Sequence, residues 1–401
     1  MLRRHIIAMM VILGCSLMSI SPASAAESFE KLVKEARGTE VTWFMWGGSP
    51  VINSWVDTYV ASEVKDRYGI TLKRVSADAA IFINKLLTEK QAGRTTGTMD
   101  LLWINGENFK NARENDLLQG PVTDILPSFS FVDPESVAYD FGYPVQGYEV
   151  PYGRAQFVFE YDMEALPNPP RSFAELKQWV RDNPGRFTYP RPPDFTGSAF
   201  IRQAFYALTG GHQQYMAGFD EELYLRNAPK LWDYLNDIKP YLWQEGKTYP
   251  KDIAALDTLF ERGEVALNMS YHQANAQSKI TQGRYRPSVR TFVMEDGSLY
   301  NTHFTAVPFN APNRAGALVV ANFLLSPEAQ LHKNMPKNWG DFTVLDLGRL
   351  DAGMAQQFKD LDLGEATLSP TALAAAAVPE IASEYLELLE RDWEKQVLRN
   401  R

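Results

Sequence analysis

From Glu40 onward, short apolar runs alternate with amphipathic stretches, and that alternation restricts the chain to an α/β sheet protein. Glu40-Val41-Thr42-Trp43-Phe44-Met45-Trp46 reads as a buried strand stopped by Gly47-Gly48. A helical stretch runs to Tyr68-Gly69, and Ile70-Thr71-Leu72-Lys73-Arg74-Val75 alternates like a second strand. Phe82, Ile83, Leu86 and Leu87 mark one face of a helix before a third strand, Met99 to Ile104, that ends at Asn105-Gly106-Glu107-Asn108. Strands separated by crossover helices pair in parallel.

The texture changes near Tyr148. Val150-Pro151-Tyr152-Gly153-Arg154 leads into the strong strand signal of residues 155–161. Ser172-Phe173-Ala174-Glu175 is a capping box, with Phe173, Leu176 and Val180 forming the apolar stripe behind it. Phe200, Ile201, Ala204, Phe205 and Leu208 share a helix face that Gly210-Gly211 ends, and Thr196 or Ser198 is the expected cap. Residues 263–269 read as a strand, 301–309 as a return crossing, and 316–325 as a helix. Ser326-Pro327-Glu328 starts another helix, with serine as cap and proline in the first turn. Residues 379–401 form an amphipathic helix expected to pack on the outside.

The first 26 residues stand apart. Arg3 and Arg4 precede an apolar run from Ile6 to Ile20, followed by Ser21-Pro22-Ala23-Ser24-Ala25-Ala26. This is the pattern of a secretory signal peptide cut after Ala25 or Ala26. The apolar run is shorter than the ~20 residues of a spanning helix. A lipid anchor at Cys15 is the weaker reading, because the run continues past it through Leu17, Met18 and Ile20. Cys15 is the only cysteine, so the mature chain is expected to lack disulfides, thiolate metal sites and cysteine nucleophiles. Removing Arg3 and Arg4, with no acid lost, takes the formal charge from -9 to about -11. An acidic, evenly mixed surface argues against nucleic acid and anionic membranes as partners.

Read in order, several segments resemble the type 2 periplasmic solute-binding proteins of ABC importers. They are the Trp46-Gly47-Gly48 loop, the Met99-Asp100-Leu101-Leu102-Trp103 strand, the Val150-Pro151-Tyr152-Gly153 crossing, Gly263-Glu264-Val265-Ala266, and the run from Phe323 to Gln330. The resemblance covers nearly the whole mature chain and looks strongest to the branch of thiamine, iron and polyamine binders, including uncharacterised thiamine-like members. It implies an α/β fold of two lobes joined by two crossing strands, with a small solute clamped between them. Residues 1–26 are then the signal peptide, and 27–152 with a return over 303–345 make lobe one. Lobe two takes 153–302, and 346–401 forms C-terminal helices packed on the lobes. The implied role is a periplasmic, monomeric substrate-binding component that serves an inner-membrane permease and its ATPase, with no cofactor.

In open α/β sheets ligands sit at the carboxyl ends of strands, which selects the candidate residues. Trp46, Gly47, Gly48 and Ser49 leave the first strand. The tryptophan either stacks on a flat or cationic ligand or caps the lobe core. Asn105 and Glu107 offer an amide and a carboxylate after the third strand, or serve as an ordinary turn. Tyr152 and Arg154 stand at the first crossing, where the guanidinium clamps an anion or pairs with an acid across the hinge. Thr196 and Ser198 begin a helix whose free N–H groups suit a polar ligand. Tyr271 and Asn275 are spaced to share a helical face. His272 and His303 lack the helix-spaced pairing of a metal site, so no metal is expected. Iron is disfavoured further because Tyr271 has no tyrosine neighbour.

No G-x-S-x-G elbow, H-E-x-x-H pair, P-loop or dinucleotide fingerprint occurs, so an enzyme is not expected. The aromatics, amides and Glu107 fit a small cationic heterocycle such as thiamine. Three alternatives remain: a carbohydrate-binding importer component, a periplasmic enzyme acting on a small polar substrate, and a sensor subunit built on the same lobes.

Overall fold

The computed structural model describes residues 22–399. Most of the expected signal peptide, Cys15 included, lies outside the described residues. Its last residues begin the first helix, Pro22–Ala36, so the expected cleavage point falls within that helix.

The larger sheet carries the first lobe. Strand β1 (Glu40–Met45) lies between β2 (Thr71–Ser76) and β3 (Leu101–Ile104), parallel to both. A long return strand, Ser298–Pro308, runs antiparallel to β3 on the other side, and the short strand Ala377–Pro379 closes that edge. The outgoing crossing strand, Val150–Gln156, pairs antiparallel with the return strand, so both crossings lie side by side. Beyond them, Val289–Phe292, Val158–Asp162 and Leu267–Ser270 form a separate antiparallel sheet of three strands.

Two apolar cores follow. Val41, Trp43 and Met45 point to one side of β1 and are fully buried in the first core, together with Val150, Tyr152 and Phe304. Ala155, Phe157 and Leu299 belong to the second core, so the crossing strands change cores within a few residues. The chain also passes from the first core at Phe358 to the second at Ala366.

Local signals behave as their chemistry dictates. The Ser172 hydroxyl accepts from Glu175 N, while the Glu175 carboxylate reaches back to Arg171 N. Ser326 caps Pro327–Asn334. Gly69 and Gly210 end their helices in the left-handed conformation, at φ 73° and 97°.

Four expectations need correction. The strand signal of residues 155–161 is broken at Phe157, where the chain leaves one sheet for the other. The helix Phe195–Thr209 is capped by Asp194 rather than by Thr196 or Ser198. One Asp194 oxygen accepts from Gly197 N at 2.9 Å and the other from Ile253 N at 3.1 Å, so a neighbouring helix selects it. Tyr271 lies in the loop before the helix Asn275–Thr281, so the two residues share no helix face. Finally, the C-terminal helix Ser383–Trp393 is not laid on the outside. Its Tyr385, Leu389 and Trp393, with Val397 beyond, are buried at 0–1% exposure in the second core.

Candidate functional site

At the carboxyl end of β1 the chain turns away from the core, and Trp46 is left 42% exposed. Its two glycines answer to the chain itself. A Cβ on Gly47 would collide with the Ser76 side chain at the end of β2, and one on Gly48 would collide with the Trp46 indole. Asn53 Nδ2 donates to Gly47 O at 2.9 Å and the Ser49 hydroxyl caps the following turn, so the base of the indole is held. Phe44 pairs with Leu102, so Trp46 and the next loop leave the carboxyl ends of neighbouring parallel strands.

That loop is Asn105-Gly106-Glu107. Asn105 is tied on both sides: its Oδ1 accepts from Trp103 Nε1 at 3.1 Å, and its Nδ2 donates to Thr302 O at 2.6 Å on the return strand. Gly106 takes φ +60° and donates its N–H to Asp140. Glu107 accepts from Asn108 Nδ2 at 2.6 Å. Burial pushes its carboxyl up to about 7, and Glu390 and Glu387 of the C-terminal helix add to the rise while Arg202 opposes it. Thus Glu107 faces charges from beyond its own lobe.

The remaining candidates separate into two places. Tyr152 is fully buried among Trp43, Trp103, His303 and Trp339, with ring centroids 5.5–6.3 Å away. Arg154 donates to Ser136 Oγ at 2.7 Å and forms no ion pair with a described residue. Asn275 reaches Glu160 Oε1 at 2.9 Å, inside a buried network with Asn268, Tyr285 and Asp257. Ser198 and Tyr271 instead meet at a buried ion pair absent from the sequence reading. Arg202 places Nε and Nη2 on the two Glu380 oxygens at 2.7 and 2.8 Å, and Nη1 on Ser198 Oγ at 2.8 Å. Tyr271 donates to Glu380 at 2.6 Å. Thr196 is buried at the start of the same helix. Burial works against the Arg202 charge, and Glu380 outweighs it, so the guanidinium is held above its ordinary pKa.

Two rings flank this guanidinium, Phe141 at 5.4 Å and Phe195 at 5.5 Å. Phe141 also packs against Gly106, so the pair abuts the Asn105 loop. The one signal that pointed to Arg202 is an arginine inside the otherwise apolar run Ala199-Phe200-Ile201-Arg202. A fully buried charge needs a partner. His303 Nε2 is 3.1 Å from Asp341 Oδ1, and burial lowers His272 to about 4. Among the described residues no three histidine, cysteine or acidic side chains are grouped to hold a metal.

At these strand ends an uncovered indole and a half-buried carboxyl stand beside charges of the second lobe, in an architecture of two lobes joined by paired crossing strands. Solved structures share this architecture. An ABC transporter substrate-binding protein from Bradyrhizobium japonicum matches with a TM-score of 0.65 at 17% identity, covering 89% of this chain and 99% of its own. AfuA from Actinobacillus pleuropneumoniae, with fructose-6-phosphate bound, matches at 0.64, 15% identity and 90% and 98% coverage. PotD of a spermidine/putrescine ABC transporter from Streptococcus pneumoniae matches at 0.63, 13% identity and 89% and 99% coverage. At such identities these likenesses establish the fold, a two-lobed periplasmic binding protein architecture.

The sequence goes further. Residues 59–339 match the bacterial extracellular solute-binding protein family, and the chain belongs to that family. It is 41% identical over 342 residues to Protein YnjB of Escherichia coli (strain K12), covering 84% of this chain and 88% of that protein.

Proposed function

We propose that this chain is the periplasmic substrate-binding component of an ABC importer, and that it captures a small cationic or polar solute between its lobes. The observation that carries the reading is that the uncovered Trp46 and the Asn105–Glu107 loop leave the carboxyl ends of adjacent parallel strands. The leader of residues 1–26 exports the chain, cleavage falls after Ala25 or Ala26, and the mature protein is soluble and monomeric. It hands its solute to an inner-membrane permease and its ATPase, and it performs no chemistry on it. Lobe one takes 27–152 with 303–345, lobe two takes 153–302, and 346–401 packs on both. This division is supported by the change of core between Tyr152 and Ala155 and between Leu299 and Phe304.

Glu107 and the exposed indole favour a cation over a neutral ligand, and thiamine is the first compound to try. The spermidine/putrescine transporter among the similar structures is consistent with a cation. A thermal-shift screen of the mature protein against vitamins, polyamines, sugars and phosphorylated compounds tests the reading. A true ligand at 100 times its Kd adds about 2.7 kcal/mol of stability. The same ligand should shrink the radius of gyration as the lobes close. A screen in which no compound raises the melting temperature counts against solute capture, and an unchanged radius at saturation counts against the clamp.

A further inference from the structure

We infer that Phe195 is the second lobe's ligand contact, and that with Trp46 it makes the site select solutes carrying a planar ring. The inference rests on the solute-binding reading and narrows it to a class of ligand.

An exposed aromatic ring matters where it stands at a cleft between lobes, because it offers a rigid stacking face there. Phe195 is 44% exposed and Trp46 42%, although each is followed within a few residues by buried chain. Phe195 also sits beside the first lobe's loop. Its ring is 6.3 Å from that of Phe141, and Phe141 in turn lies against Gly106, between Asn105 and Glu107. On its other side Tyr271 is 5.0 Å away. The ring therefore belongs to the seam between lobes.

The side chain is held in place from below. Asp194 anchors the start of its helix through two backbone N–H groups, and Gly197 packs so closely on Pro190 O that no Cβ would fit. One side of the ring faces the Arg202 guanidinium at 5.5 Å. Every nitrogen of that guanidinium is already committed, to Glu380 and to Ser198, and the Tyr271 hydroxyl completes the Glu380 shell. Arg202 is fully buried, so the ion pair presents no donor to a solute. What the second lobe offers at this point is a fixed, half-uncovered ring. A ring presented this way binds best what can lie flat on it, because stacking area grows with planarity and rigid partners lose little freedom.

The test uses the full mature protein and four probes: thiamine and 1-methylnicotinamide as planar cations, spermidine as a flexible cation, and glucose as a neutral non-planar solute. Titration calorimetry should show a planar probe binding the wild type more tightly than spermidine or glucose. Phe195→Ala and Trp46→Ala should each weaken that probe by about tenfold or more, and Phe195→Leu, which keeps apolar bulk without a ring face, by several-fold. Apo melting curves of the variants should stay close to the wild type, which separates lost contact from lost fold. Planar-probe binding by Phe195→Ala at wild-type affinity overturns the inference. So does tighter binding of spermidine or glucose than of either planar cation, although solute capture then stands. A wild type that binds none of the four at millimolar concentration also overturns ring selection, while solute capture is judged by the broader screen.

Discussion

Among the described residues, the two ion pairs buried most completely, each packed among several aromatic rings, are built differently. In the first, Lys333 and Asp341 meet at 2.6 Å with both side chains fully buried. Trp103, Tyr152, His303 and Trp339 are mutually packed above them, with every pair of centroids 5.0–6.3 Å apart. Gly153 in the crossing strand lacks the Cβ that would strike Asp341 and Lys333. The second pair, Arg202 and Glu380, has Phe141, Phe195 and Tyr271 around it and leaves Phe195 half open. Both clusters neutralise a desolvated charge, as buried charges require. The first leaves none of its rings exposed and holds the crossing strands to the first core. The second spends its polar atoms internally and turns one ring outward. The two clusters thus differ in the exposure of a ring rather than in the number of rings.

The largest expected effect falls on the closed cluster. Asp341→Ala leaves Lys333 buried without its partner and should cost about 3–5 kcal/mol in urea denaturation. Replacing both members, Lys333→Met with Asp341→Leu, should recover most of that. A loss below about 1 kcal/mol for Asp341→Ala would break the comparison, since the first cluster would then not be a scaffold.

A smaller effect concerns pH. Glu107 has a folded value of about 7 against an ordinary 4.5, chiefly because of burial. Between those values the folded state binds more protons than the unfolded one, so this group's stability contribution is full below about pH 4.5 and is lost as pH rises through 7. The loss is roughly 3 kcal/mol at most. Glu160, also raised to about 7 by burial, acts in the same direction. Glu107→Gln should therefore gain on the wild type between pH 5 and 8 in chemical denaturation. A constant difference across that range would mean that Glu107 titrates as an exposed acid and that the seam is wet.

The smallest change is expected at the open ring's counterpart in the first lobe. Trp46→Ala should alter apo stability by no more than about 0.5 kcal/mol, as for a surface substitution. A loss of several kcal/mol in the melting curve would make Trp46 a core cap and leave the open ring of the second cluster without a counterpart in the first lobe.

Much of the fold could be read from neighbours along the chain. β1 and β2 fall within a residue of their sequence limits, and the Ser172 box, the Ser326-Pro327 start and the Gly210 stop all form. Trp46 and the Asn105–Glu107 loop could be chosen because carboxyl strand ends follow from strand order alone. Phe195, Glu380 and the Lys333–Asp341 pair could not. Arg202 alone left a trace, as a charge in an apolar helix, but its partner stands 178 residues further on.

What the sequence determined by itself is the alternation of strand and helix and the local caps, because periodicity and backbone hydrogen bonding act over a few residues. Tertiary structure decided the rest. It chose Asp194 over Thr196 as cap, because Ile253 N claims the second oxygen. It drew the C-terminal helix into the second core, because Tyr385 and Trp393 find cover there that the outer surface lacks. It set which ring stays open, because burial is a property of the returning chain and no residue carries it in its own neighbourhood.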